Sequence, residues 1–234
     1  MNHPINLETT TLAVRNAIRP ATAPRSFLFV ALALACFALS PGPKAFGVSP
    51  APDGSYPNGN TAEGAAALSN LTDGLYNTAM GLQALFSNTS GTYNTGTGVN
   101  ALYNNTGGSA NTAKGLNALY NNTTGFANTA TGVNALYSNT TGNYNTANGV
   151  ASLFSNTTGN FNTADGYRAL FVNTNGTYNI AIGGYALVSN TTGNNNTATG
   201  FEALSSCEVS GGCSCGGDLR SWGCHTNQQP NPSA

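Results

Sequence analysis

Apolar and polar positions recur along this chain with a period of 17 residues, which repeats nine times without an insertion. Three columns of identical residues define the period: leucines from Leu68 to Leu204, glycines from Gly64 to Gly200 and asparagines from Asn60 to Asn196. A fixed period of this length is typical of solenoid proteins, in which each repeat stacks on the next. The pattern therefore predicts one coil for each 17-residue unit.

Each unit is predicted to consist of extended segments and turns rather than helix. Two glycine columns divide the unit into pieces that are too short for a stable helix. The Asn-Thr-Thr-Gly sequence at 139–142 is favourable in a turn, because asparagine tolerates left-handed backbone geometry and glycine prefers it. We expect two short strands and two turns per unit, with coils about 4.8 Å apart. The predicted fold class is all-β, a β-solenoid or parallel β-roll of about nine coils.

The strand Asn-Thr-Ala-variable predicts which side chains face the interior. Its last position holds Glu63, Lys114 and Asp165 in three of the units, so this position should face solvent. Because side chains alternate along a strand, threonine then faces outwards, and asparagine and alanine face inwards. We expect the leucines to form a thin core and the asparagines to form a ladder of amide hydrogen bonds. The eighth unit conflicts with this pattern, since Ile180 and Ile182 on the outer face indicate a buried surface such as a subunit contact.

The N-terminal segment is typical of an exported protein. Three arginines precede an apolar run at 27–39, which is shorter than the roughly 20 residues needed to cross a bilayer. Positive charge followed by a short apolar run predicts a signal peptide over residues 1–47, and hence a secreted or cell-surface location. An uncleaved membrane anchor and a lipidated Cys36 are the alternatives. Residues 48–59 are rich in proline and glycine and are predicted to form a linker.

The repeats are predicted to span residues 60–206, and a cysteine-rich tail or cap to span residues 207–234. Four cysteines in an exported protein predict two disulfides, for which three pairings are open. A metal site that includes His225 and an unstructured end are the alternatives. The four cysteines of the tail are Cys207, Cys213, Cys215 and Cys224.

Composition and charge argue against most kinds of chemistry in the repeats. Only 6% of the residues are charged and the net charge is −1, so no basic surface is expected for nucleic acid. The repeats contain neither histidine nor cysteine, and we predict no enzyme activity, no cofactor and no metal. A glycosidase, which needs two carboxylates close together, is the weaker alternative. Asp165 and Glu202 are about two coils apart, so they could lie about 10 Å from each other. Arg168 occupies the same column as Glu202.

An aromatic residue follows the leucine in six consecutive units and is the main candidate for ligand binding. These residues are Phe86, Tyr103, Tyr120, Tyr137, Phe154 and Phe171. A stacked aromatic strip that binds sugar rings is the functional interpretation, and packing in the core or between subunits is the alternative. A second aromatic column, from Tyr76 to Asn195, is interrupted and is expected to be peripheral. Asn-x-Ser/Thr sequons recur between Asn70 and Asn190 and are compatible with glycans in a eukaryotic secreted protein.

Two threonine columns favour a different function, ice binding. One column runs from Thr61 to Thr197, with Ile180 as its exception, and the other runs from Thr72 to Thr191. Regular hydroxyl and methyl groups on a flat solenoid face can order water, and Asn-Thr-Ala-x-Gly resembles the repeat of a grass ice-binding β-roll. The preference of threonine for strands is the alternative explanation of these columns.

Residues 60–206 resemble the head repeats of trimeric autotransporter adhesins. The resemblance is carried by Asn179-Ile180-Ala181-Ile182-Gly183 with Ala186-Leu187, and by the sister units. It implies a left-handed parallel β-roll that packs as a trimer on a bacterial surface and binds host matrix protein or carbohydrate. We therefore expect a self-associating surface protein, adhesive or structural, whose partner is an extracellular protein or glycan. Ice binding is the first alternative, and a phage-type fibre or carbohydrate-active solenoid is the second.

Overall fold

The computed structural model describes residues 57–206 and, beyond them, two strands at 213–216 and 225–226. The predicted signal peptide and most of the predicted linker lie outside the described residues, as do Cys207 and Cys224. A short 3-10 helix, Pro57–Gly59, leads into the first coil. The repeats are thus described over their whole predicted length.

Nine three-residue strands follow one another at intervals of 17 residues, one in each unit. They are β1 (Thr61–Glu63), β2 (Thr78–Met80), β3 (Thr95–Thr97), β4 (Thr112–Lys114), β5 (Thr129–Thr131), β6 (Thr146–Asn148), β7 (Thr163–Asp165), β8 (Ile180–Ile182) and β9 (Thr197–Thr199). Each strand pairs in parallel with the next in exact repeat register, so that Thr112 is opposite Thr129 and Ala113 is opposite Ala130. The repeats therefore form a parallel β-solenoid of about eight turns, which confirms the predicted fold class.

Two further strands continue the sheet after the repeats. Strand β10 (Cys213–Gly216) pairs in parallel with β9, and β11 (His225–Thr226) pairs antiparallel with β10. The edge that β9 would otherwise present is therefore paired, which removes a site for unwanted strand addition. The disulfides of the tail stay a prediction.

The expectation of two strands per unit is wrong for the described coils, each of which contains one. The segment between the glycine and the leucine turns instead of extending, because two of its residues have left-handed backbone conformations. Asn117 has a φ of 54° and Leu119 a φ of 52°, and the leucines of all nine units have φ between 49° and 56°. Successive coils are still hydrogen-bonded in this segment, since the Leu119 N–H donates to the Ala135 carbonyl at 2.9 Å. The turn segment therefore satisfies backbone groups along the stacking direction, as a strand would.

The interior of the solenoid is a narrow core of small and medium side chains. Ala113, Ala118 and Leu119 are fully buried, and so are the equivalent residues of most other coils. The predicted alternation is confirmed, since the central residue of each strand is buried while the residues on either side of it face outwards. Ile180 and Ile182 are exposed on the same outer face, so the eighth coil keeps the orientation of the others.

The predicted asparagine ladder is present, and it is buried. The side-chain nitrogen of Asn128 donates to Asn111 Oδ1 at 3.1 Å and to the Gly142 carbonyl at 2.8 Å. Asn128 Oδ1 accepts from the backbone N–H of Asn145 at 2.9 Å and from the Asn145 side chain at 3.2 Å. One amide therefore links three consecutive coils, and its buried donors and acceptor are satisfied.

A second buried ladder was not predicted from the sequence. It is formed by the asparagines that open the Asn-Thr-x-Gly turns, from Asn88 to Asn190, and all of them are buried. Asn122 Nδ2 donates to Asn105 Oδ1 at 2.7 Å and to the Gly125 carbonyl at 3.0 Å. The side chain thus closes its own turn and also ties that turn to the preceding coil.

The glycine column allows the coils to approach closely. Gly115 has a φ of 141°, a conformation that other residues rarely adopt. A Cβ atom at Gly115 would lie 2.6 Å from the Gly132 carbonyl oxygen of the next coil. Both the backbone conformation and the neighbouring coil therefore exclude a side chain, which explains why the glycine recurs in every unit.

Candidate functional site

The six aromatic residues predicted to bind ligand form one continuous stack, which we call the aromatic ladder. Its members are Phe86, Tyr103, Tyr120, Tyr137, Phe154 and Phe171. Ring centroids of consecutive members are 5.1–5.2 Å apart, with interplanar angles between 3° and 19°. The six side chains are half-buried. The in-register coils place them on one line, since each ring follows a buried leucine.

The rings of the aromatic ladder turn their faces towards one another. Near-parallel rings at these centroid distances are offset-stacked, so the neighbouring rings cover much of each face and the edges point away. In the middle of the ladder, burial raises the pKa of the Tyr120 hydroxyl, and the neighbouring Tyr103 and Tyr137 raise it further. The ladder is therefore a partly dehydrated array that offers ring edges and hydroxyl groups to a partner.

A second aromatic row lies on another side of the coils. Tyr76 and Tyr93 stack with centroids 5.2 Å apart, and Tyr144, Phe161 and Tyr178 stack at 4.8–4.9 Å. All five side chains are exposed. Alanines in the two coils between the stacks divide the row, which agrees with the peripheral position expected from the sequence.

An apolar side chain that follows the glycine is exposed in most coils, although a recurring apolar position ordinarily marks the core. Leu116 is 45% exposed, whereas Leu119, three residues later, is fully buried. We call this exposed row the outer apolar column. Its members are Leu82, Val99, Leu116, Val133, Val150, Tyr167 and Phe201. A row of exposed apolar side chains is a candidate surface for contact with another molecule.

In the last three coils the outer columns hold different residue types from the earlier coils, and six of these side chains form what we call the C-terminal aromatic patch. The patch consists of Tyr167, Arg168, Phe171, Tyr185, Phe201 and Glu202. The ring of Tyr185 is 5.2 Å from that of Tyr167 and 6.0 Å from that of Phe201, and both contacts are edge-to-face. Arg168 Cζ lies 5.3 Å from the ring centroid of Tyr167 and 5.0 Å from that of Phe171.

The hydroxyl of Tyr185 reports on the environment of this patch. Burial raises its pKa, and a hydrogen bond with Tyr167 raises it further. The charge of Glu202 acts in the same direction, whereas the charge of Arg168 lowers the pKa. Arg168, Tyr185 and Glu202 occupy one column in three successive coils, so Tyr185 lies between a positive and a negative side chain.

The outer face of the sheet carries the first threonine column. Thr112, Thr129 and Thr146 are exposed in three adjacent coils and are opposite one another in the strand register. The exposed side chains of Lys114 and Asp165 project from the neighbouring column of the same face. The hydroxyl array is therefore regular along the solenoid, but the face as a whole is interrupted by charges.

Most of the predicted sequons are inaccessible in the folded chain. Five of their asparagines, at 88, 122, 139, 156 and 190, belong to the second buried ladder and have no exposed surface. Asn70 is exposed, and Asn104 is half-buried and donates to Asn121 Oδ1 at 3.0 Å. Glycans on the five buried asparagines are incompatible with the fold.

The described part of the chain has no cluster of three His, Cys, Asp or Glu side chains that could hold a metal ion. The same part also lacks a helix with the length and apolarity needed to cross a membrane. Asp165 lies on strand β7, whereas Glu202 lies in the turn segment of the last coil, within the C-terminal aromatic patch. These two carboxylates therefore belong to different columns of the repeat.

Comparisons of the chain with protein-family models, with curated proteins and with solved structures find no match. The described fold is that of a β-solenoid, a shape that many unrelated functions share. The resemblance to adhesin heads therefore stays a prediction.

Proposed function

We propose that this protein is an exported adhesive or structural surface protein that binds an extracellular glycan or matrix protein through the outer columns of its solenoid. The observation that supports the proposal is the in-register stacking, which repeats an outer position in every coil. A weak contact made by one coil is then made again by its neighbours, and linked weak contacts combine into a much higher affinity. The aromatic ladder is the longest array of rings among the described coils.

Self-association belongs to the same proposal. The outer apolar column leaves side chains such as Val99, Leu116 and Val133 exposed on neighbouring coils. Contiguous exposed apolar surface favours contact with another protein, and a trimer is the form that the resemblance to adhesin heads implies. Light scattering coupled to gel filtration measures the mass of the full chain in solution. A monomer at every concentration would refute self-association and leave the binding part of the proposal standing.

The binding part is tested on arrays of glycans and of extracellular matrix proteins. We expect the full chain to bind members of at least one array. The double change Tyr103→Ser and Tyr137→Ser interrupts the aromatic ladder, and serine suits the position because Ser69 and Ser205 occupy the same column. We expect this variant to bind more weakly than the wild type. No binding to either array would remove the adhesive function and leave only the structural one.

Ice binding is a second candidate, and the outward threonine column favours it. The hydroxyls of Thr112, Thr129 and Thr146 repeat along the solenoid axis in strand register. Lys114 and Asp165 on the same face count against it, because a charged side chain disturbs a regular layer of water. Thermal hysteresis in the wild type that Thr129→Lys abolishes would establish this function, and its absence in the wild type would exclude it.

A further inference from the structure

The C-terminal aromatic patch is the place where the outer columns depart from the repeat. In the earlier coils, the two positions after the glycine commonly hold valine or leucine followed by asparagine, and Asn117 Nδ2 donates to Asn134 Oδ1 at 3.2 Å. In the last three coils the same positions hold Tyr-Arg, Gly-Tyr and Phe-Glu. The leucines of those coils are buried as in the other coils. The interior is therefore unchanged, and the fold does not require different residues at these two outer positions.

The rings of the patch are arranged differently from those of the aromatic ladder. Tyr185 lies between Tyr167 and Phe201 and meets them at interplanar angles of 81° and 86°. In an edge-to-face contact only one of the two rings offers its face, so the rings cover less of each other than in a parallel stack. Tyr167 is 43% exposed and Phe201 is 53% exposed. Apolar ring surface is therefore available to a ligand.

Gly184 makes room for this arrangement. A Cβ atom at Gly184 would lie 3.3 Å from Cδ2 and 3.5 Å from Cε2 of Phe201, so the Phe201 ring lies close beside the Gly184 backbone. The valine or leucine that stands at this position in most earlier coils would displace the ring. The missing side chain at position 184 therefore leaves room for the Phe201 ring on the outside of the solenoid.

One positive and one negative side chain lie among these rings. The Arg168 guanidinium packs on the Tyr167 ring, and both Arg168 and Glu202 act electrostatically on the Tyr185 hydroxyl. Arginine supplies several hydrogen-bond donors, and an ionised glutamate supplies acceptors. Because the patch carries one charge of each sign and no net charge, it suits a neutral ligand with many hydroxyl groups better than an anion or a cation.

We propose that the C-terminal aromatic patch binds neutral pyranose units of an extracellular glycan. The C–H faces of neighbouring sugar units pack on the exposed rings of Tyr167 and Phe201, which belong to coils two apart, and the sugar hydroxyls form hydrogen bonds with Arg168, Glu202 and the Tyr185 hydroxyl. Apolar ring surface with a few convergent polar groups is the usual composition of a small-ligand site. This inference rests on the proposed adhesive function and assigns to it one ligand class and one location.

The test is affinity electrophoresis of the full chain through gels that contain hydroxyethylcellulose, xylan, galactomannan or dextran. The variant combines Tyr167→Val, Tyr185→Asn and Phe201→Val, which are residues that these columns hold in other coils, such as Val150 and Asn134. Asn134 has a φ of 57° and Tyr185 a φ of 59°, so asparagine fits the backbone at this position. We expect at least one polysaccharide to retard the wild type. The variant should bind that polysaccharide at least about tenfold more weakly, because truncation of an aromatic anchor commonly has an effect of this size.

Tyr178→Ala is the matched control. It removes an exposed ring from the seventh coil, but from the second aromatic row, where Ala110 and Ala127 have similar positive φ. We expect this variant to bind like the wild type. Circular dichroism and the midpoint of unfolding should be unchanged in both variants, so that weaker binding reports on the site.

Three results would overturn the inference. In the first, the triple variant binds polysaccharide as tightly as the wild type. In the second, the wild type binds matrix proteins on the arrays but none of the polysaccharides. Both results leave the proposed adhesive function standing. A wild-type chain that binds neither polysaccharides nor matrix proteins contradicts the adhesive function as well.

Discussion

The inside and the outside of the solenoid differ in how strictly they follow the repeat. The column of Leu119 holds leucine in all nine units, whereas the column of Leu116 holds six residue types, including glycine, tyrosine and phenylalanine. Leu119 is buried between coils and Leu116 is exposed. An interior side chain has to fit the coils above and below it, which are nearly identical to its own. An outer side chain meets fewer such restrictions, so the outer columns can diverge to form a binding surface while the fold is kept.

The largest effect should follow from breaking the first asparagine ladder. In Asn128→Ala the Asn145 N–H loses its partner in the interior. The Gly142 carbonyl keeps only its bond from Asn139, and the Asn145 side chain keeps only its bond to Gly159. An unsatisfied buried polar group costs about 1–3 kcal/mol, so we expect a loss of about 4 kcal/mol in the free energy of unfolding, because several groups are affected. Chemical denaturation of the full chain measures this loss.

The control for that variant is Asn134→Ala in the half-buried outer column. Asn134 accepts one hydrogen bond, from Asn117, and Ala151 occupies the same position one coil later with a φ of 56°. We expect a loss of no more than about 1 kcal/mol, the net contribution of a typical hydrogen bond. Equal losses in the two variants would contradict the distinction between inner and outer columns.

A smaller effect is expected for the inner leucine, and the same coil offers its control. Leu119→Ala should lower the free energy of unfolding by about 3 kcal/mol, because it leaves a cavity among side chains that are packed on both sides. Leu116→Ala removes the same atoms from an exposed position, so we expect a change within about 0.5 kcal/mol for the dilute chain. If Leu116→Ala lowered the free energy of unfolding as much as Leu119→Ala, the outer apolar column would contribute to the stability of the fold as the inner leucines do.

The smallest effect concerns the aromatic ladder at alkaline pH. Burial, followed by the influence of Tyr103 and Tyr137, raises the pKa of Tyr120 above its ordinary value of 10.0. The folded chain therefore holds the Tyr120 proton more tightly than the unfolded chain does, which stabilises the fold. This stabilisation is fully present below pH 10 and is lost as the pH rises through the pKa of the folded state. Tyr120→Phe keeps a ring in the stack, as Phe86 and Phe154 do, and should reduce the alkaline loss.

Unfolding midpoints measured between neutral pH and pH values above 10 test this prediction. Tyr93→Phe, in the exposed second aromatic row, serves as the control. An alkaline loss of stability that is the same in the wild type and in Tyr120→Phe would show that the Tyr120 hydroxyl does not contribute to it.

The first asparagine ladder and the outward threonines were predicted from the sequence, whereas the second ladder was not. Both ladders repeat at the same spacing, but only the asparagine of Asn-Thr-Ala directly precedes a strand, whose alternation assigns it to the interior. Asn122 opens a turn, where asparagine is favourable even when its side chain is exposed. Its presence therefore did not indicate that it is buried. A column that holds asparagine in seven consecutive units, although any turn residue would suffice, was the available signal.

The C-terminal aromatic patch was also not predicted from the sequence. Arg168 and Glu202 were recognised as members of one column. The contact between Tyr185 and Phe201, however, joins two different columns, and the Phe201 ring lies close beside Gly184. The aromatic ladder could be predicted because it needs only identical columns in register. The patch depends on side-chain directions that differ from one coil to the next.

The sequence alone determined that the chain stacks in units of 17 residues, that like residues lie over like, and that leucine and asparagine fill the interior. These properties follow from the period, since a constant spacing allows only one register between coils. Only the tertiary structure decided that the other apolar position of each coil, held by Leu116 and its equivalents, faces outwards. The left-handed conformation of the leucine turns the backbone between Leu116 and Leu119, so that one side chain points into the coil and the other points away from it.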